Sequence, residues 1–182
     1  MTHKLTTEEM GRMSVEEFRA SEKLPLTVVL DNVRSLNNIG SVFRTSDAFR
    51  VEHIALCGIT ATPPHREIHK TALGAEDSVA WSYHEDTAEC VKGLKERGYK
   101  IYAVEQVDDS IKIGISNKEL AIVGHPIAIV MGNEIEGVQE SLLPLCDGSL
   151  EIPQYGTKHS LNVSCAAAIV IWEMFKKLRI DS

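Results

Sequence analysis

The sequence has no apolar run approaching the roughly 18–20 residues that a membrane-spanning helix needs. Its N-terminal stretch, MTHKLTTEEMGRMSVEEF, contains no apolar segment of the kind found in secretory signal peptides. The four cysteines form no C-x-x-C pair, and all lie in or beside apolar segments, which is typical of reduced structural thiols. These absences argue against a membrane protein and against a secreted one, and they predict a cytoplasmic location.

Three common motifs are also missing: the dinucleotide-binding G-x-G-x-x-G, the phosphate-binding loop ending in G-K-[ST], and the G-x-S-x-G nucleophile elbow. The formal net charge of −7 counts against a strongly basic nucleic-acid binder, although a local basic patch is compatible with it. His65 and His69 are four residues apart and could share a helix face, but no third ligand stands at a recognisable spacing. We therefore predict no metal site.

The pattern that is present is an alternation of short apolar segments with amphipathic ones. Together with 182 residues and 43% hydrophobic residues, it predicts one α/β domain with a mainly parallel sheet between helices. Strands are predicted at residues 26–30, 51–57, 79–83, 99–104, 127–131 and 150–152, and helices at 39–49, 87–97, 117–120, 138–145 and 160–178. The segment 127–131 (IAIVM) is apolar throughout and is therefore predicted to be central.

Two regions outside this alternation have weaker patterns. Thr6 to Glu9 and Ser14 to Glu17 have the capping-box spacing, which predicts one or two short helices in an N-terminal extension over residues 1–24. Residues 58–78 contain Pro63-Pro64 and Gly74, and they are predicted to form a long loop with one turn of helix.

Four polar loops follow predicted strands, at residues 31–38, 105–110, 132–137 and 153–162. Ligands in a parallel α/β sheet bind beyond the carboxyl ends of the strands. The four loops therefore predict a ligand site at one edge of the sheet.

Each polar side chain in these loops can be interpreted as structural or as functional. Asn38 can cap a helix starting at Ile39, and Arg44 is either a phosphate or carboxylate ligand or a surface ion-pair residue. Glu134 either complements a helix dipole or contacts a ligand. Ser160 is a natural N-cap for the last helix, and since only one residue can be the N-cap, Ser160 and Asn162 cannot both serve only as caps.

Three stretches together resemble the TrmH/SpoU family of RNA ribose 2′-O-methyltransferases, in the SPOUT superfamily. They are residues 38–44 within LDNVRSLNNIGSVFRTSDAF, then IVMGNEIEGV, then IPQYGTKHSLNVSCAAAI. The stretch KTALGAED is also similar to that family, and the resemblance extends from about Pro25 to Leu178. The chain departs from the family pattern at Gln154, where Met is usual, and at His159, where acids or amides are common.

The resemblance implies a deep C-terminal trefoil knot, S-adenosylmethionine bound in that knot, and a homodimer whose interface holds the site. We expect a single domain over residues 1–182, without the separate RNA-binding domain that some members of the family carry. The expected substrate is structured RNA, with tRNA ahead of rRNA. The implied active-site residues are Asn38, Arg44, Glu134, Ser160 and Asn162. The implied cofactor-binding positions are Val104, Gly132, Ile152 and Leu161. The candidate RNA-binding residues are Arg34, Arg44, Arg66, Lys70 and Lys158.

Arg44 keeps two possible roles at this point. The family proposal makes the corresponding arginine the base that deprotonates the ribose hydroxyl, whereas an ordinary guanidinium is a poor base and would serve better as a phosphate clamp. Two other functions also remain open: an RNA-binding or ribosome-assembly module without catalysis, and a nucleotide-dependent enzyme of another α/β class.

Overall fold

The computed structural model describes residues 2–6, 9–115 and 124–178. The strands are β1 (Leu24–Asp31), β2 (Val51–Cys57), β3 (Ala80–His84), β4 (Lys100–Val104), β5 (Ile111–Lys112), β6 (Ile127–Met131) and β7 (Gly148–Glu151). The helices are α1 (Val15–Ala20), α2 (Leu36–Ala48), α3 (Arg66–Ala72), α4 (Ala75–Ser78), α5 (Thr87–Glu96) and α6 (Val163–Leu178), with a 3₁₀ helix at Glu140–Leu145.

The strands form a seven-stranded sheet in the order β3-β2-β1-β6-β4-β7-β5, and every pairing in it is parallel. β6 lies in the middle between β1 and β4, and each of its five residues is buried. The predictions of a parallel α/β sheet and of a central segment at 127–131 are therefore confirmed. A strand buried on both faces needs apolar side chains at every position, which is why β6 shows no alternation.

Helices cover both faces of the sheet, and β1 contributes side chains to each. Val28 and Leu30 belong to the core under α2, α3 and α6, whereas Val29 belongs to the core under α5 and the 3₁₀ helix. Among the helices of the described residues, none is long and apolar enough to cross a membrane.

Several local predictions were wrong. Residues 58–78 contain the two short helices α3 and α4 rather than one turn, because Ile68 and Ala72 are buried against the core. Ser35, not Asn38, caps α2, since its hydroxyl accepts from the backbone N–H of Asn38. Ser160 does not cap the last helix, which begins three residues later at Val163.

The N-terminal extension contains one helix among the described residues. α1 has the full capping box between Ser14 and Glu17, as predicted. Thr6 and Glu9 make the reciprocal capping-box bonds, with Thr6 N donating to Glu9 Oε2 over 2.7 Å. Residues 7 and 8, and the helix predicted near residues 117–120, lie outside the described residues.

Candidate active site

A cavity of about 470 Å³ lies beyond the carboxyl ends of β4, β6 and β7. Its walls come from the segments that follow those three strands, at residues 104–106, 131–137 and 150–163. The four positions implied to bind a cofactor, Val104, Gly132, Ile152 and Leu161, all line it. A cavity of this size falls within the range that accommodates small molecules and cofactors.

Asn38 connects two of the other predicted residues at this edge of the sheet. Its side-chain Nδ2 donates to Glu134 Oε1 over 2.9 Å, and its Oδ1 accepts from Asn162 Nδ2 over 3.0 Å. Asn38 is 8% exposed, so both ends of its amide are used in an almost buried position. Three segments that are far apart in the sequence therefore meet at one side chain.

The carboxylate of Glu134 is a fixed acceptor at the tip of its loop. Besides Asn38, the backbone amides of Arg34 and Ser35 donate to it over 3.2 and 3.1 Å. Partial burial alone would raise the pKa of Glu134, but these hydrogen bonds favour the ionised form and the pKa is lowered overall. Glu134 thus joins its loop to the start of α2 as a carboxylate.

Asn162 has a second function as the N-cap of α6. Its Oδ1 accepts from the backbone N–H groups of Ser164 at 2.9 Å and Cys165 at 3.3 Å. The same side chain therefore starts the helix with its oxygen and reaches Asn38 with its nitrogen. Ser160 is exposed and lines the cavity.

The loop after β6 is tightly folded, and two glycines allow it. A Cβ on Gly132 would lie 1.9 Å from the carbonyl carbon of Gly137, and Gly137 itself has a φ of +70°. Asn133 and Gly137 exchange backbone hydrogen bonds of 3.1 Å across the loop. The Asn133 side chain accepts from the amides of Ile135 and Glu136, both at 2.8 Å. The shape of this loop is therefore held by hydrogen bonds within the loop itself.

The charged lining of the cavity is acidic. Its carboxylates belong to Glu105, Glu134, Glu136 and Glu151, and no lysine or arginine of the described residues lines it. Such walls favour a positively charged ligand over a phosphate-bearing one. S-adenosylmethionine fits this lining, because it carries a sulfonium and an ammonium group, and apolar side chains such as Met131 and Ile152 are present for an adenine ring.

Two contacts at the cavity were missed by the sequence interpretation. Gln106 Nε2 donates to the carbonyl oxygen of His159 over 3.0 Å, which connects the loop after β4 to the loop after β7. Glu105 Oε2 accepts from the backbone N–H of Val138. The only sequence signal for these residues is their position, as the first polar residues after an apolar strand.

Arg44 does not line the cavity of its own chain. It lies exposed on α2, six residues beyond Asn38, and its guanidinium makes no hydrogen bond or ion pair with the rest of the described chain. Of the other candidate RNA-binding residues, Arg34, Arg66, Lys70 and Lys158 are also exposed. Lys70 is paired with Glu67 at 2.7 Å.

The two histidines with metal-ligand spacing have other partners. His65 Nδ1 accepts from the backbone N–H of Glu67 and caps α3, and His69 Nδ1 lies 2.5 Å from Glu76 Oε1. Over residues 2–6, 9–115 and 124–178, no group of three or more His, Cys, Asp or Glu side chains is arranged to hold a metal ion.

The proteins to which this chain is similar are named as RNA methyltransferases or RNA modifying enzymes. A tRNA (guanosine(18)-2′-O)-methyltransferase of Thermus thermophilus is 34% identical over 167 residues, which cover 91% of this chain and 81% of that protein. The crystal structure of a TrmH/SpoU tRNA modifying enzyme of A. aeolicus has a TM-score of 0.77 and 25% identity, covering 90% of this chain and 81% of that one.

A third similar protein is an AdoMet-bound rRNA methyltransferase from Sinorhizobium meliloti, with a TM-score of 0.74 and 26% identity. The match covers 87% of this chain but only 61% of that longer one. The family model described as the SpoU rRNA Methylase family matches residues 25–172. Because that match covers most of the 182 residues, the chain belongs to the SpoU rRNA methylase family.

Proposed function

We propose that the protein transfers a methyl group from S-adenosylmethionine to the 2′-hydroxyl of a ribose in structured RNA, with tRNA ahead of rRNA as the substrate. The observation that carries the proposal is the contact of Asn38 with both Glu134 and Asn162, at the edge of an acidic cavity. The Thermus relative supports tRNA, since this chain covers 81% of an enzyme named for it.

When bound, S-adenosylmethionine supplies an electrophilic methyl group on a positively charged sulfur. Val104, Gly132, Ile152 and Leu161 would hold it through backbone groups of the three walls. The chain's own contribution is largely to position the ribose oxygen in line with that methyl group, because correct orientation can supply much of the rate enhancement.

Glu134 is poorly suited to be the base that deprotonates the ribose hydroxyl. Its carboxylate already accepts three hydrogen bonds and its pKa is lowered, so it binds protons less readily than an ordinary glutamate. We assign it the task of fixing its loop against α2. Ser160 and Asn162, exposed at the opposite wall, would orient the ribose.

We propose a homodimer in which Arg44 acts at the cavity of the partner copy, since Arg44 does not line the cavity of its own chain. The outer face of α6 presents Cys165, Ile169 and Trp172, of which Ile169 is 40% and Trp172 46% exposed. Trp172 packs against Phe49 at the end of α2, with ring centroids 5.6 Å apart. An exposed apolar face of this kind favours a second copy of the chain as its cover.

A C-terminal trefoil knot is part of the same proposal. In the strand order of the sheet, β4 lies between β6 and β7. The helix α6 that follows β7 packs against β1 and α2, on the other side of β6 in that order. The segment between them must cross back over the ends of β4 and β6, where Gln106 contacts His159. The threading itself is proposed from membership of the SpoU family, and this return path brings the C-terminal segment against the loop after β4. We also propose that residues 1–182 act as one domain located in the cytoplasm.

RNA affinity must come from a local patch, because the chain as a whole is acidic. The exposed residues Arg34, Arg44, Arg66, Lys70 and Lys158 are the proposed phosphate contacts. Each neutralised phosphate releases counterions, so affinity should fall steeply as the salt concentration rises.

The test is incorporation of labelled methyl groups into tRNA and rRNA, followed by mapping of ribose methylation in RNA from cells with and without the gene. Wild-type protein should methylate a ribose 2′-hydroxyl, and Arg44→Ala should lose activity about 100-fold or more if Arg44 acts at the site. Arg44→Lys separates the two roles, because lysine ordinarily has the lower pKa. If residue 44 is the base, the pH–rate profile should move to lower pH, whereas a phosphate clamp should leave that profile unchanged.

Robust activity in Arg44→Ala would remove Arg44 from the reaction. Tight RNA binding by the wild-type protein with no binding of S-adenosylmethionine in calorimetry would instead favour a non-catalytic RNA-binding module. Binding of a different nucleotide cofactor would favour another class of enzyme.

A further inference from the structure

Two consecutive backbone amides at the end of the β6 loop donate to two different carboxylates. The N–H of Val138 reaches Glu105 Oε2 over 3.0 Å, and the N–H of Gln139 reaches Asp31 Oδ2 over 3.2 Å. Glu105 directly follows β4, and Asp31 is the last residue of β1. Because β6 lies between β1 and β4, the loop that leaves β6 is held by an acid from the strand on each side.

Asp31 is a buried carboxylate with an unusually complete set of donors. It is 0% exposed, and its Oδ1 accepts from Gln139 Nε2 at 2.8 Å and from Thr87 Oγ1 at 2.7 Å. Asn32 Nδ2 donates to the same oxygen over 2.8 Å. No cation of the described residues pairs with it, so these hydrogen bonds must offset the cost of burying the charge.

Glu105 is in direct contact with the same loop. A Cβ on Gly137 would lie 2.1 Å from Glu105 Oε2, so the carboxylate occupies the space that a side chain at position 137 would need. The other oxygen, Oε1, accepts from the backbone N–H of Gln106 over 2.9 Å. Both oxygens are therefore hydrogen-bonded to the protein itself, although Glu105 also lines the cavity.

We propose that Asp31 and Glu105 form a carboxylate clamp that positions residues 132–139 as the cofactor-binding wall. This inference rests on the proposed function, because it concerns the same cavity and the same cofactor. The two acids are positioning residues: they act through the backbone of the β6 loop, which carries Gly132 at the wall and Glu134 at its tip. Hydrogen bonds to ionised groups are stronger than neutral ones, which suits a loop that must keep its shape before a ligand arrives.

The central test is Glu105→Gln, which keeps the size of the side chain and removes its charge. The matched control is Asp108→Asn, which removes the same charge from an exposed residue of the same loop that makes no hydrogen bond within the described chain. Calorimetry would measure the affinity of each protein for S-adenosylmethionine and for S-adenosylhomocysteine, whose sulfur is neutral.

A clamp predicts that Glu105→Gln weakens both ligands by about tenfold, since the wall that holds them is displaced. Asp108→Asn should stay within about twofold of wild type. The KM for the cofactor should rise in Glu105→Gln while the KM for RNA changes little. Loss of S-adenosylmethionine affinity with unchanged S-adenosylhomocysteine affinity would overturn the clamp, because Glu105 would then act through its charge on the sulfonium.

Hydrogen–deuterium exchange of the ligand-free proteins gives a readout that a general loss of stability would not reproduce. Glu105→Gln should exchange faster in the peptide spanning residues 132–139, with the strands unchanged, and Asp108→Asn should match wild type. Asp31→Asn should act on the same peptide, and the double variant should be less than additive, since both acids hold one loop. Unchanged exchange and unchanged affinity in Glu105→Gln would overturn the proposal, and this variant suffices if Asp31→Asn fails to fold.

The wild-type protein separates this inference from the function on which it rests. If wild type binds neither S-adenosylmethionine nor S-adenosylhomocysteine, the proposed function fails, and the exchange data still decide whether the clamp holds the loop. If wild type binds both and Glu105→Gln binds them equally well, the clamp fails and the function stands.

Discussion

The two loops on opposite walls of the cavity are built differently. The loop after β6, residues 132–139, is hydrogen-bonded within itself through Asn133, to α2 through Glu134, and to the flanking strands through Asp31 and Glu105. In the loop after β7, residues 155–162 are all exposed. Between Pro153 and Leu161, the contact of His159 with Gln106 is its only hydrogen bond within the described residues.

The cavity therefore has one wall with many internal hydrogen bonds, the β6 loop, which we call the first wall. The β7 loop, which has few, is the second wall. The hydrogen bonds of the β6 loop restrict its backbone, so we expect cofactor binding there to cost little conformational entropy. Because the β7 loop makes few hydrogen bonds, we expect it to lose more conformational entropy on binding and to adapt to the substrate. We therefore expect substitutions in the first wall to have large effects on affinity, and matched substitutions in the second to have small ones.

The largest expected effect comes from adding a methyl group to the first wall. Gly132→Ala would place Cβ 1.9 Å from the carbonyl carbon of Gly137 and 2.1 Å from the nitrogen of Val138, so the backbone of the loop must move. S-adenosylmethionine affinity measured by calorimetry should fall about 100-fold or more.

The matched control lies in the second wall. A Cβ on Gly156 would meet no atom within 4 Å, so Gly156→Ala should bind within about twofold of wild type. Equal losses in the two variants would contradict the distinction between the walls.

The next effect concerns the tip of the first wall. Glu134→Gln replaces a carboxylate that accepts from Arg34, Ser35 and Asn38 by an amide that presents a donor to some of them. We expect kcat for RNA methylation to fall about 10- to 100-fold. Glu140→Gln, in an exposed residue outside the cavity lining, is the control and should stay within about threefold. Similar rates for all three proteins would exclude a role for the Glu134 contacts.

A smaller effect is expected at Asn162, which joins the second wall to α6. Asn162→Ala removes the helix cap and the donor to Asn38 together, and should lower the free energy of unfolding by about 1 kcal/mol. Asn162→Asp keeps an oxygen for the cap but loses the donor. In urea unfolding, Asn162→Asp should therefore have nearly the wild-type free energy of unfolding, and Asn162→Ala a lower one. In methyl-transfer assays, both variants should be slower than wild type. Full activity in Asn162→Asp would show that the contact with Asn38 is dispensable.

The smallest effect is a pH dependence of stability. Because the pKa of Glu134 is lowered by folding, its ionised form stabilises the folded state. That contribution is fully present above the ordinary value of 4.5 and is lost as the pH falls through the lowered pKa. The difference in free energy of unfolding between wild type and Glu134→Gln should be constant near neutral pH and should shrink in acid. A difference that grows in acid would contradict the lowered pKa.

The sequence predicted the sheet and the meeting of its loops, but not the contacts between them. β2 and β6 have the predicted bounds, because Arg50 and Gly58 flank the first strand and Pro126 and Gly132 flank the second. The helices α3 and α4 were missed because their stability comes from packing rather than from local propensity. The choice between Ser160 and Asn162 as the cap was also missed, since both residue types are good N-caps.

The contacts of Asp31 and Glu105 depend on strand order. Both residues are visible in the sequence as acids at strand ends, yet nothing in it shows that β6 lies between their strands. The placement of Arg44 outside the cavity of its own chain also depends on tertiary structure, since its helix phase relative to the sheet is fixed by packing.

The acidic lining of the cavity also bears on how the protein would finish each turnover. Loss of the methyl group converts the sulfonium of S-adenosylmethionine to a neutral thioether. The electrostatic attraction between the ligand and the surrounding glutamates is then weaker. We expect the spent molecule to be held more weakly than the fresh one for this reason. The acidic walls that favour binding of the methyl donor would therefore also favour dissociation of the demethylated product.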